Sequence, residues 1–308
     1  MKACVILNPN AGSADQGEAL HEAIRVTPDV ELLECQAAGH GCELAAEAAT
    51  NGYDLVIAAG GDGTINEVVN GLAADFSAVA LGVIPLGTGN DLARTLCLPE
   101  DPLLAFQIAM QGIRRAIDVI KVESENELAY AINVCAGGFT GEVDEAMTDE
   151  LKSTWGPLAY LIGAARALPE IDGYETKIAW DDGPFERVEA LNIVVANGRT
   201  AAGGKPAAPR ANPEDGLLDV VIIKNVSGPE LAGLAAIAFA GDYLESDQVI
   251  HERVASLRVE SHPGMWFNVD GELLTKEPVR FQILPQALRV AVGPDYVPEP
   301  PLKTEVAG

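Results

Sequence analysis

Positive charge is scarce in this sequence: 20 Lys and Arg stand against 46 Asp and Glu over 308 residues, a formal net charge of −26. That excludes a polybasic nucleic-acid binder and sets up long-range repulsion from anionic surfaces. Cysteine is sparse too. The five present (Cys4, Cys35, Cys42, Cys97, Cys135) are odd in number and form no C-x-x-C pair, so buried thiols in a reducing cytoplasm are expected rather than a disulfide framework. The four histidines lack metal-ligand spacing. No apolar run approaches the ~18 residues of a transmembrane segment, and the apolar stretch before Asn8 is too short for a signal-peptide core. Three motifs are also missing: G-x-x-x-x-G-K-[ST], a complete G-x-G-x-x-G, and G-x-S-x-G. Their absence counts against P-loop, Rossmann dinucleotide and α/β-hydrolase chemistry.

What remains is a folding composition, 48% hydrophobic and 21% charged. Through residue 96 short apolar runs alternate with helical patterns: strands at Ala3–Asn8, Val30–Cys35, Leu55–Ala59 and Val79–Ile84, helices at Asp15–Arg25, Cys42–Thr50, Ile65–Ala73 and Asp91–Leu96. This alternation specifies an α/β domain with a parallel sheet covered on both faces, whose ligands bind at the strands' carboxyl ends. After about Ile113 strands dominate, among them Ala129–Cys135, Tyr174–Trp180, Val279–Leu284 and Leu288–Val292, with helical interruptions at Thr154–Leu168 and Pro229–Ala240, so a C-terminal β-sandwich-like domain is expected. The expected division is 1–122 for the nucleotide-binding domain and 123–294 for the β-rich domain, with the tail 295–308 packing back on the first. A homodimer is the base-rate expectation for assembly.

Glycine clusters at strand ends. Gly60-Gly61-Asp62-Gly63-Thr64 follows one apolar strand and opens a helix, the arrangement that turns backbone N–H groups and a helix N-terminus toward phosphate. Asp62 is out of place there unless it binds a cation or takes a proton. A plain turn with Asp as N-cap reads the same residues, but the surrounding glycines exceed what a cap needs. Pro85-Leu86-Gly87-Thr88-Gly89-Asn90-Asp91 repeats the pattern one strand later, with Thr88 as a phosphate donor and Asn90 or Asp91 as a cap; Asn8-Pro9-Asn10-Ala11-Gly12-Ser13 is a third, weaker turn. In the second domain Asp270-Gly271-Glu272 reads locally as a hairpin turn, and Asn212–Asp219 as a solvated loop with oxygens able to hold a hard cation.

Together these segments resemble the diacylglycerol kinase catalytic-domain family of lipid kinases, bacterial soluble members and sphingosine-kinase relatives included. The matches are NPNAG (Asn8–Gly12), GGDGTINEVVNGL (Gly60–Leu72), PLGTGNDLAR (Pro85–Arg94), NVCAGGF (Asn133–Phe139), NGRTAAGGKPAAPRANPEDGLLDV (Asn197–Val220) and NVDGE (Asn268–Glu272). The resemblance implies ATP-dependent phosphorylation of a lipid hydroxyl at a membrane surface by a cytoplasmic, peripheral enzyme. It assigns nucleotide contact to Asn8, Pro9, Asn10, Ala11, Gly12, Cys35, Gly60, Gly61, Asp62, Gly63, Thr64, Ile65, Asn66, Glu67 and Thr88. Asp62 would act at the phosphates and metal, Glu272 as general base. It further implies Mg²⁺ bound in the second domain by the Asp215 side chain and the carbonyls of Asn212 and Leu217. The chain departs from the pattern at Ser13, where a basic residue is usual, at Cys35 in place of Thr, and at Thr140-Gly141. The competing expectations are an NAD kinase-like small-molecule kinase, which GGDGT alone would also suit, and a non-catalytic nucleotide- or lipid-binding module.

Overall fold

Three short apolar segments are buried at every position: β1 (Ala3–Leu7), β3 (Leu55–Gly60) and β4 (Ala80–Pro85). Strands of this kind need a layer on both faces. In the computed structural model, which describes residues 1–11, 14–138, 173–240, 242–276 and 278–299, they pair in parallel with β2 (Val30–Glu34) in the order β2-β1-β3-β4. On one face Leu20 and Ile24 of α1 (Ala14–Val26) and Ala105, Phe106 and Ala109 of α5 (Pro102–Gln111) join Val5, Ile57 and Ile84 in one apolar cluster. The alternate residues Cys4, Ile6, Val56 and Ala58 are buried as well, with α2 (His40–Thr50) against β1 and α3 (Asp62–Gly71) against β3. α4 (Asp91–Thr95) is a single turn after β4. Because β1 lies between β2 and β3, the chain leaves β1 in one direction and β3 in the other, and this reversal opens a crevice at the strands' carboxyl ends.

The second unit is antiparallel. Its strands are β5 (Arg114–Glu123), β6 (Leu128–Ala131), β7 (Val134–Gly138), β8 (Tyr174–Trp180), β9 (Glu186–Ala196), the short pair β10 (Thr200–Ala201) and β11 (Lys205–Pro206), β12 (Leu218–Lys224), β13 (Val249–Val254), β14 (Ser256–His262), β15 (Phe267–Val269), β16 (Glu272–Thr275) and β17 (Val279–Ala291). β9 is the organiser: its first half pairs with β8, its second half with β7 on one edge and β12 on the other. The sandwich core includes Ile178, Ile193, Val220, Leu257, Phe267 and Phe281, the two rings edge-on at 5.3 Å. A second cluster packs Leu231 and Leu234 of α6 (Gly228–Ala240) with Leu191, Val221 and Ile223.

The chain divides into compact units of Met1–Val119 with Pro285–Val297, and Ile120–Leu284 with 298–299 among the described residues, so β5 and β17 each run from one unit into the other. β17 is one strand of 13 residues where the sequence suggests two, Val279–Leu284 and Leu288–Val292, and its end pairs in parallel with β4 through Arg289 and Val290. It returns the chain to the first unit ahead of the tail expected at 295. Conversely, the segment expected as one strand at Ala129–Cys135 is broken into β6 and β7. Helix α3 starts at Asp62, three residues earlier than its apolar pattern. The helix expected at Thr154–Leu168 and the positions Gly12, Ser13 and Thr140-Gly141 lie outside the described residues, as do residues 300–308.

Candidate functional site

The first unit brings most of the expected nucleotide residues to one end of its sheet. Asn8 follows β1, Cys35 follows β2, Gly60 closes β3 and leads into α3, and Gly87–Asn90 follows β4. Backbone bonds tie these ends together: Asn8 N donates to Ala59 O at 3.0 Å, Cys35 N to Leu7 O at 2.8 Å, and Leu86 N to Gly60 O at 2.9 Å. Asn8 also donates from Nδ2 to Thr64 Oγ1 at 3.3 Å, while its Oδ1 accepts from Asn10 N at 3.0 Å, closing the Asn8–Ala11 turn.

The two glycine-rich turns touch through their backbones. A Cβ at Gly87 would sit 2.5 Å from the Cα of Gly61, and one at Gly61 would sit 3.3 Å from the Cα of Gly87. A side chain at either place would push the turns apart. The second turn is clipped by Asn90, held at φ 52°, whose Oδ1 accepts from Gly87 N at 2.9 Å and whose Nδ2 donates to Gly87 O at 2.8 Å. Asn90 therefore does not cap α4 with its side chain. The cap comes from the other turn: Asp62 Oδ1 accepts from Asp91 N at 2.9 Å. Asp62 is itself the first residue of α3, not its N-cap, which is Gly61.

This juxtaposition sets the charge at the site. Burial first, then the nearby Asp91 carboxylate, holds the Asp62 carboxyl above its ordinary value, against the pull of hydrogen bonds from the Asp91, Leu92 and Asn90 amides. A buried carboxylate held beside a second one is a donor set that a divalent cation would relieve. Beside them, the first-turn amides of α3 have no intrahelical partner and suit an anion. Asp91 is the residue the sequence reading missed as a site group. The available signal was the repeat itself, since Asp91 closes the second turn at the entrance of a helix.

Not every expected contact residue offers its side chain. Ile65 is buried, leaving only main chain for a ligand. The Glu67 carboxylate accepts from Gly39 N (2.7 Å) and Gly41 N (2.9 Å), which fixes the start of α2. Burial, then Glu67, pushes the Cys35 thiol above its ordinary value. Thr88 is exposed at its turn, and Asn66 accepts from Asn70 Nδ2 through its carbonyl at 2.9 Å.

In the second unit Asp270 (φ 47°) and Gly271 (φ 94°) form the two-residue turn between β15 and β16, as a hairpin with both central residues left-handed requires. The Asp270 carboxylate accepts from the Ile132, Asn133 and Val134 amides at 3.0, 3.2 and 2.8 Å, the place where the expected long strand breaks into β6 and β7. This anchors the hairpin, and Glu272 stands exposed as the first residue of β16. The expected metal donors Asn212, Asp215 and Leu217 form a turn in which Asp215 Oδ1 accepts from Leu217 N at 2.9 Å and Oδ2 pairs with Arg253. Burial raises the Asp215 carboxyl above its ordinary value, opposed by Arg253. Both carboxylate oxygens are thus engaged within the protein, and the described residues do not fit a resident cation at this turn.

Residues 2–122 match the family model for the diacylglycerol kinase catalytic domain, and residues 133–292 match that for the YegS C-terminal NAD kinase beta sandwich-like domain. A diacylglycerol kinase from Staphylococcus epidermidis is 32% identical over 99% of this chain and 96% of its own length. One from Staphylococcus aureus is 32% identical over 97% and 94%. Among solved structures, a diacylglycerol kinase from Bacillus anthracis superposes with a TM-score of 0.74 at 25% identity, covering 96% of this chain and 98% of that one. An NAD kinase from Archaeoglobus fulgidus in complex with ATP reaches 0.55 at 13% identity over 96% and 95%, a likeness of fold alone.

Proposed function

We propose, from the premise that this chain belongs to the diacylglycerol kinase catalytic-domain family and is a kinase, that it transfers the γ-phosphoryl group of ATP to the hydroxyl of a lipid such as diacylglycerol. The observation that carries the reading is the contact of Gly61 with Gly87, which sets the Asp62 carboxylate beside Asp91 at the end of the parallel sheet. In phosphoryl transfer the protein chiefly positions groups and neutralises charge, so amides, carboxylates and one placed base are a sufficient set. The turns at Asn8–Ala11, Gly60–Asn66 and Thr88 hold the nucleotide, mostly through main chain; Glu67 contributes by fixing the start of α2. Magnesium arriving with ATP would neutralise the phosphates, with Asp62 and Asp91 as the carboxylates that would hold it. Glu272 takes the hydroxyl proton of the acceptor. The acceptor oxygen then bonds to the γ-phosphorus while the bond to the β–γ bridging oxygen breaks, and ADP leaves with that electron pair.

The lipid acceptor is supported by relatives named diacylglycerol kinase over nearly the full chain. No helix among the described residues is long and apolar enough to cross a membrane. In this reading the chain meets its lipid as a peripheral visitor. Labelled ATP offered with diacylglycerol, a sphingoid base or phosphatidylglycerol in mixed micelles, and separately with NAD, tests this. Label is expected in the lipid fraction; transfer to NAD alone would overturn the acceptor. Glu272→Gln should lower kcat by about 10²–10⁴-fold with an unchanged melting temperature, and a variant that keeps wild-type kcat removes Glu272 from the role.

A further inference from the structure

Asp215 stands in a charge cluster with its own cation. Asp219 of β12 lies directly across the ladder from Arg253 of β13, and His251, two residues before Arg253, shares its face. The register therefore aims two basic side chains at one buried carboxylate. Asp219 is 1% exposed; its Oδ1 is 2.8 Å from His251 Nε2, while its Oδ2 has no hydrogen-bond partner and sits 4.0 Å from Arg253 Nε. The other arm of the same guanidinium is paired with Asp215 Oδ2. Arg253 thus bridges two carboxylates, one at the turn and one inside the sheet.

We infer that Arg253 is the built-in counter-cation of Asp215 and Asp219, standing where the family resemblance implies a resident magnesium ion in the second unit. A divalent ion at Asp215 would need about six oxygens at ~2.0–2.1 Å and would have to displace a guanidinium already on the carboxylate. The two cations repel, and the strand register holds the arginine in place. An exposed ion pair alone contributes little, but Asp219 is a buried charge, and removing its counter-cation is expensive.

The inference is independent of which lipid is the acceptor, and melting measurements without nucleotide test it on the full chain. The wild-type protein should melt at the same temperature in EDTA and in millimolar MgCl₂. Arg253→Met should melt at least about 2–4 °C lower in EDTA and recover when MgCl₂ is added, because the same oxygens are then open to the ion. The proposal is overturned if wild-type stability drops in EDTA and Asp215→Asn abolishes that drop, or if Arg253→Met is as stable as wild type in EDTA. Should Arg253→Met not fold, magnesium retained by purified wild type and lost from Asp215→Asn also overturns it; no magnesium held through Asp215 supports it.

Discussion

Asp62 is the residue at which chemistry and stability conflict. Its carboxyl is raised above the ordinary Asp value of 3.8 by burial and by Asp91. The folded protein therefore keeps this proton to higher pH than the unfolded chain does. Between the two values folding takes up protons, so stability falls as pH rises through that window. Asn at this position could still accept the Asp91 amide, without the charge. Asp62→Asn is thus expected to abolish phosphoryl transfer and yet melt above wild type at pH 7, with the difference shrinking as pH falls toward 3.8. A melting temperature below wild type at pH 7 would contradict this account. That Asp62 was out of place among amides was legible in GGDGT. Its partner was marked only as the Asp closing the repeated turn; nothing local to Asp91 says that a carboxylate 29 positions earlier occupies the same space.

At the scale of elements, glycine matters where two backbones meet. Gly87→Ala puts a Cβ 2.5 Å from the Cα of Gly61, a main-chain atom that cannot swing aside, and 3.0 Å from the Asn90 Oδ1 that clips the turn. A loss of about 1–3 kcal/mol is expected, with weaker ATP binding as the turns separate. Gly233 gives the contrast: it is an exposed position within α6 with nothing near its would-be Cβ, so Gly233→Ala should stabilise by about 0.4–1 kcal/mol. Chemical denaturation measures both, and a Gly87→Ala protein with wild-type stability and ATP affinity would show that the turns do not depend on close approach. Most elements were readable from their period, as with β8 and α6. α5 was missed, although its signal was there in Asp101-Pro102: Asp101 accepts from the Leu103 and Leu104 amides at 2.8 and 3.2 Å, and Pro102 opens the helix. The break between β6 and β7 carries no such local mark, since it depends on Asp270, a carboxylate from a hairpin more than 130 residues later.

For the whole molecule, a net charge of −26 opposes both compaction and the approach of an acidic lipid surface or ATP. Two cations near the matched segments are already paired. Arg210, near the matched second-unit segment, is held by Asp242 at 2.5 Å and Glu245 at 2.6 Å, and Arg94 by the Gly89 carbonyl and Glu100. Screening is then the available remedy. Raising salt from about 0.1 to 0.5 M shortens the screening length from ~10 to ~4 Å, so both melting temperature and turnover should rise over that range; turnover maximal at low salt and lost by about 0.5 M would oppose the reading. Composition and period alone determined the parallel α/β unit, the β-rich unit after it and the glycine turns at strand ends, because apolar spacing and turn chemistry act over a few residues. Tertiary structure alone decided that Gly61 meets Gly87, that Asp62 charges beside Asp91, and that Arg253 answers Asp215 and Asp219. Those contacts join residues far apart in the chain, and only the strand order and register bring them within the few ångströms over which carboxylates, amides and guanidinium groups act on one another.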